Sequence, residues 1–396
     1  MRVMRVLIVG GFLAFIAIMS GIVQDVQDAQ AIPAFARKYD FACNVCHVPG
    51  FPKLNDFGNV FRDQGYQLGT DGDLPTFEAL GKGFWPVSLR TTVGYQVANL
   101  RVDGQALATS GFGFTGLDVL SFGTLARNLS FGIVYTPGLG DAGFGTGNSL
   151  GDSNLESAFV RLMNLERFVG GPSNTYWANL KVGKFELDLP FSEKRAPTLN
   201  TTFVMYHYTP GTPYAATIGF TPGLTPVSSP LASFGNANPF ALGDNQPGIE
   251  LTGIKRTDVT GGYFRYSLAG LTTNGGSFGD SGGRSAYFYG HVTQSFGGYG
   301  IVAGHRIGAF VVAGNTPTLC PASIGGGPVG GTCAGTGTAT QGEPFRRVGV
   351  DASLTYGGQW NLFGAWMFGN DSSNLITPVI GSAQNAHWNG GFIELD

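Results

Sequence analysis

From Val87 onward the chain is dominated by segments in which apolar and polar residues alternate. Val87, Leu89, Thr91, Val93, Tyr95 and Val97 interleave with Ser88, Arg90, Thr92, Gly94 and Gln96. Period-two alternation marks a β-strand with one apolar and one polar face. The pattern returns at Leu129, Phe131, Ile133 and Tyr135, and at Phe264, Tyr266 and Leu268 against Arg265 and Ser267. It is clearest at Val348, Val350, Ala352, Leu354 and Tyr356 against Arg347, Gly349, Asp351, Ser353 and Thr355. Comparable segments lie near 156–163, 176–185, 201–208, 248–255, 285–294, 299–312 and 359–368. With weaker segments included, about fourteen strands have the length that a tilted membrane strand needs.

A soluble sandwich or propeller needs two buried faces. Here one face is steadily polar and the other apolar, and aromatic residues gather at strand ends. The expectation is therefore a mainly β fold, an antiparallel transmembrane β-barrel with a polar lumen over residues 84–396. Gly-rich stretches at Ser110–Gly116, Thr136–Gly151 and Asn315–Gly342 read as its longer loops. The last residues, Gly391-Phe392-Ile393-Glu394-Leu395-Asp396, read as a strand still in progress. An open edge in lipid leaves backbone groups unpaired, so about sixteen strands are expected in the complete barrel.

Composition narrows the class. The 396 residues include 64 Gly and 21 Pro, 13% are aromatic, and only 12% are charged, about half the usual quarter. The glycines follow no collagen period, and the aromatic content excludes disorder. Only Val6–Val23 is an apolar run long enough to cross a bilayer as a helix. Arg2 and Arg5 precede it and Ala29-Gln30-Ala31 follows, which predicts a cleaved signal peptide over 1–31 and an exported chain. The net charge is −3 with no basic tract, so nucleic acid is not an expected partner.

Export gives the four cysteines meaning, because the periplasm is oxidising. Cys43-Asn44-Val45-Cys46-His47 is the C-x-x-C-H pattern of covalent c-type haem attachment. Two thiols at this spacing reach the two vinyl groups on one porphyrin edge, and the adjacent imidazole ligates the iron from below. A thioredoxin-like pair needs a βαβ setting, and a zinc site needs further ligands nearby; neither surrounds this segment. Cys320 and Cys333 lie in a Gly- and Thr-rich stretch without His, Asp or Glu, and read as a disulfide closing a surface loop.

After His47, Leu54, Phe57 and Phe61 recur at helical spacing with Pro52 near the first turn, predicting one short helix. The haem segment, 32–83, is too small to cover a large apolar plate alone, so the barrel must supply the rest of the shield. No Met lies between His47 and Met163, and no His between His47 and His207. The iron is then either five-coordinate or ligated from elsewhere in the chain.

Three stretches together carry a likeness. They are Ile32-Pro33-Ala34-Phe35-Ala36-Arg37-Lys38-Tyr39, the Cys43–His47 motif, and Phe51-Pro52-Lys53-Leu54-Asn55-Asp56-Phe57-Gly58 with Gly65-Tyr66. This sequence resembles the fused monohaem cytochrome–porins of bacterial outer membranes, whose best-known members are the iron(II) oxidases of iron-oxidising bacteria. The resemblance is specific over 32–68 and architectural beyond. It implies a small haem domain plugged into a barrel of about sixteen strands, with Cys43 and Cys46 as attachment sites and His47 as axial ligand. Relatives sharing the motif need not all oxidise iron, so architecture transfers more firmly than substrate.

If Phe203–Tyr208 is a strand whose Val204, Tyr206 and Tyr208 face lipid, Met205 and His207 point inward as candidate sixth ligands. A shift of register would turn His291 or His305 inward instead. Arg90, Arg265, Glu250 and Asp351 read as ordinary polar lumen residues. Gly138-Leu139-Gly140-Asp141-Ala142-Gly143 matches G-x-G-x-x-G without a βαβ unit and reads as a loop.

The leading expectation is an outer-membrane electron conduit, an iron(II) oxidase in which Fe(II) reduces one haem c and the haem reduces a periplasmic c-type cytochrome. The bilayer core is about 30 Å thick, so partners must enter or dock deeply for one haem to serve both sides. Two alternatives stay open: a diffusion porin with a haem-bearing plug or redox sensor, and a haem peroxidase with an open sixth position.

Overall fold

In a computed structural model, residues 33–47, 53–69, 73–102, 105–137, 154–172, 175–192, 203–208, 241–257, 262–272, 286–297, 305–319, 340–356, 360–372 and 385–395 are described. Twelve strands form one sheet in strict sequence order, each antiparallel to its neighbours. The first half comprises β1 (Val87–Val102), β2 (Gln105–Ala126), β3 (Leu129–Thr136), β4 (Asn154–Leu162), β5 (Asn179–Phe185) and β6 (Gln246–Thr257). The second comprises β7 (Gly262–Leu271), β8 (Tyr287–Phe296), β9 (His305–Leu319), β10 (Thr340–Tyr356), β11 (Trp360–Asp371) and β12 (Ala386–Leu395). The sheet curves into the wall of an antiparallel β-barrel around the N-terminal segment and the β5–β6 connection.

The alternation sorts the side chains as its period requires. On β4, Val160 and Leu162 face outward and exposed, while Ser157 and Arg161 are buried inside. On β8, Phe288 and Val292 point out, with His291 and Thr293 in; on β10, Val348, Val350 and Leu354 point out, with Arg347 and Asp351 in. Exposed apolar and buried polar side chains invert the soluble pattern.

Two expected loops move into strands. Ser110–Gly116 lies within β2, where Gly113 pairs with Gly94 and Phe112 with Tyr95; alternating glycine and aromatic residues are themselves a period-two pattern. β9 and β10 extend into 315–342, pairing as far as Leu319 with Thr340. Cys320, Cys333, the 1–31 segment and Gly138–Gly143 lie outside the described residues.

The expected strand at 201–208 is instead a 3-10 turn, Val204–His207, closed by Tyr206 N–H donating to Phe203 O at 2.8 Å. β5 pairs directly with β6, Asn179 opposite Thr252, so the sheet has no place for a strand between them. The described count is accordingly twelve rather than about fourteen. The β5–β6 connection re-enters the interior, where Phe203 stacks on Phe392 at 3.8 Å and Phe191 meets Phe363 at 4.7 Å. Phe185, Leu187, Tyr289, Val312 and Met367 complete this apolar fill.

The N-terminal segment contains three short helices, not one: α1 (Pro33–Tyr39), α2 (Asp56–Asp63) and α3 (Thr76–Gly81). α2 starts after Pro52 because Asn55 caps it, its Oδ1 accepting from Gly58 N–H at 2.9 Å. Phe35, Phe61 and Tyr66 form its core, with Phe35 stacked on Tyr66 at 4.8 Å. Arg37 donates to the Trp85 and Val87 carbonyls, tying α1 to the start of β1. Among the described residues no helix is long and apolar enough to cross a membrane.

Candidate functional site

Cys43–Val45 forms a single 3-10 turn, with Cys46 N–H and His47 N–H both donating to Cys43 O, at 3.2 and 3.0 Å. The turn draws the two cysteines and the histidine into one compact unit, and neither cysteine is in a disulfide. Burial, and secondarily the neighbouring Cys43, pushes the Cys46 thiol up to about 11, so it is a neutral thiol in apolar surroundings.

Asn55 holds the turn from behind. It is 1% exposed, its Nδ2 donates to Asn44 O and Val45 O at 3.2 and 3.0 Å, and its backbone N–H donates to Cys46 O at 2.9 Å. Gly58, one turn into α2, lies so close that a Cβ there would stand 2.2 Å from Cys46 O. A second glycine, Gly65, takes the left-handed conformation (φ +66°) where the chain leaves α2. A Cβ on it would come within 2.2 Å of the Met163 Sδ. Neither Asn55 nor Gly58 carries ligand chemistry, and only their place in the family-like stretch marked them in the sequence.

Cys46 and His47 line a cavity of about 540 Å³ between the helices and the inner faces of β1–β7, within the roughly 300–1,000 Å³ of ligand sites. Phe35, Phe41, Phe61 and Tyr66 from the helical segment and Phe122 and Phe159 from the wall supply its aromatic lining. The donor set and aromatic walls fit a covalently attached haem: Cys43 and Cys46 would hold it, and His47 would face its iron. Seven barrel strands contribute residues to the cavity lining beside the helical segment.

Charged groups from five elements close the remainder of the wall. Arg62 and Asp63 on α2 meet Arg265 of β7 and Asp188 of the β5–β6 connection. Arg265 Nε lies 2.5 Å from Asp63 Oδ2, its Nη2 3.0 Å from Asp188 Oδ1, and Arg62 Nη2 3.3 Å from the same oxygen. Burial alone would push both carboxyls up. Arg265 first and Arg62 after it outweigh that at Asp63, while Arg265, His291 and Arg62 do so at Asp188, and both stay below the usual carboxylate value. Lys181 of β5 pairs with Glu250 of β6.

The sixth-ligand expectation fares differently. Met205 is buried in the aromatic fill around Phe203 and Tyr206, and it does not line the cavity that Cys46 and His47 share. A turn does not give the alternate inward facing on which their candidacy rested. His291 does face inward, but its Nδ1 and Nε2 stand 3.2 and 3.1 Å from Asp188 and Asp351 carboxylate oxygens, leaving neither nitrogen for a metal. His305 is exposed. Of the four residues read as lumen lining, Arg265, Glu250 and Asp351 are buried inside, whereas Arg90 is half-exposed and paired with Asp118. Among the described residues no three His, Cys, Asp or Glu side chains are grouped to hold a bare metal ion.

Neither a family model nor a curated protein matches the chain. Among solved structures it is similar to the high-pH structure of OprB from Pseudomonas putida, with 12% identity over 81% of this chain and 71% of that one and a TM-score of 0.43. A likeness that loose bears on neither ligand nor activity.

Proposed function

We propose that this chain is an outer-membrane electron conduit that takes electrons from Fe(II) and delivers them, through one haem c attached at Cys43 and Cys46, to a periplasmic c-type cytochrome. The observation that carries the reading is the enclosure of the C-x-x-C-H turn, with Cys46 and His47 facing an aromatic cavity walled by the barrel. The outward apolar face of the strands suits lipid contact, and Fe(II) as donor follows the family resemblance of residues 32–68.

The haem, when bound, supplies a one-electron carrier whose potential depends on ligation, burial and hydrogen bonding. The chain's own residues do the rest. Asn55 and Gly58 fix the attachment turn, the aromatic walls exclude water, and Arg265 and Asp188 dock α2 against the barrel. The apolar fill between β5 and β6 favours conduction over solute diffusion, because it occupies lumen space that an open porin leaves to water.

The test is spectroscopic. Haem-loaded protein is purified in detergent, oxidised, and mixed with Fe(II) without oxygen. Prompt appearance of the reduced-haem bands is the expected result. Reduction by dithionite but not by Fe(II) would rule out iron as donor under those conditions.

A further inference from the structure

Arg161, on β4, is 4% exposed and lines the same cavity as Cys46 and His47. Its Nη1 donates to Arg62 O at 2.5 Å, and its guanidinium lies 5.7 Å from the centre of the Phe159 ring. Its Nε is buried without a hydrogen-bond partner. Among the described residues no carboxylate forms an ion pair with it.

The neighbouring charges are already engaged. Lys181 stands directly across the ladder from Arg161, and Glu250 directly across from Lys181. Glu250 serves Lys181 and accepts from Ser267 at 2.8 Å. On the helical side, Asp63 serves Arg62 and Arg265, and Asp188 serves both of these and His291. Glu156 and Glu186, the latter accepting from Ser192 Oγ, complete the wall's carboxylates. Arg161 is thus a buried cation beside a cavity: Asp63 acts on it through space but forms no ion pair with it, and its Nε keeps no hydrogen-bond partner. Such a group is costly unless something brings the missing negative charge.

We infer that Arg161 receives a propionate of the haem, so that the cofactor lies with its thioether edge at the Cys43–Cys46 turn and a carboxylate on the β4 guanidinium. This rests on the attachment reading above. It adds an anchor opposite in kind to the covalent one, a charge-assisted pair contributed by the barrel. Arg161 is a positioning residue: it holds the haem in one orientation and supplies the charge that favours the ferrous form.

The experiment compares full-length wild type, R161Q and R161K, expressed with haem-attachment machinery and purified from membranes. Covalent haem is read on denatured protein, and the midpoint potential is then titrated from about pH 8 to about pH 4, across the carboxyl range. At neutral pH the R161Q potential is expected to fall, shifting the ferric-to-ferrous ratio about tenfold, or 59 mV for one electron. The gap should close toward acid pH, because a propionate without its arginine protonates more readily and then needs no counter-charge. Wild type should stay flat over that range, and R161K should lie between.

A potential unchanged in R161Q overturns the inference, and so does one lowered equally at every pH, which is a through-space charge without a carboxylate partner. If R161Q does not reach the membrane, R161K decides. Its propionate bending band in resonance Raman should shift from wild type, and an unshifted band overturns the inference. Wild type that carries no covalent haem defeats the attachment reading itself, separately from these outcomes.

Discussion

Asn55 and Gly58 show how much of the proposed cofactor site is built by residues with no ligand chemistry. Asn55 spends its donors on two carbonyls of the attachment turn and its acceptor on the α2 N-terminus, so one side chain registers two elements. Gly58 is required by distance, since any Cβ would strike Cys46 O. G58A is expected to push the turn off α2 at a cost of about 1–3 kcal/mol, and to lower covalent haem per protein. Absorbance of the denatured product checks it, and a normal haem yield would show that the turn has slack. N55A should act in the same direction, leaving two part-buried carbonyls without their donor at about 1 kcal/mol.

At the scale of elements, a few buried charges join aromatic contacts in holding the helical segment to the wall. Asp188 touches Arg62, Arg265 and His291 at once. Removing its charge in D188N should cost about 3–5 kcal/mol and release α2, seen as faster proteolysis of the N-terminal segment in folded protein. The pH dependence follows from the sign of the shifts. Asp63 and Asp188 are held below the ordinary carboxylate value in the fold, so their contribution is complete above about pH 4 and lost as pH falls through the depressed values. As pH falls from neutrality, docking should therefore hold at first and loosen only in stronger acid, followed by the same proteolysis assay. A loss beginning near neutrality would contradict this assignment.

The elements also divide into what the sequence shows and what it hides. Val348–Tyr356 and Phe264–Leu268 announce their faces because a strand's period is local. Cys43–His47 stands out because both thiols and the imidazole fall within one local turn. Phe203–Tyr208 misled as a strand for the same reason: six residues of alternation imitate one, while in space Phe203, Met205 and Tyr206 are all buried around a turn. The Asp63–Arg265 and Asp188–His291 pairs span 202 and 103 positions, and no local pattern chooses such partners. Arg161 lies inside a readable strand, yet nothing nearby marks it as a buried cation whose Nε has no partner.

Across the whole molecule, the outer surface carries Val350, Trp366 and Phe368 where a soluble protein would place charge. V350R should destabilise the barrel in vesicles by about 2–4 kcal/mol if the site lies at mid-bilayer depth, and less near the rims. Urea titration of vesicle-inserted protein reads the difference. A neutral effect in both vesicles and detergent would speak against lipid contact at this position.

The β5–β6 connection has a consequence in time. It packs on Tyr289, Val312, Phe363 and Met367 of later strands, so it settles only once the second half of the wall exists. By then Cys46 faces a chamber lined by seven strands. A gap that passes a small molecule does not admit the enzyme that couples vinyl groups to thiols. On the attachment reading, a haem would have to be loaded before insertion, and a chain that folded empty would stay empty.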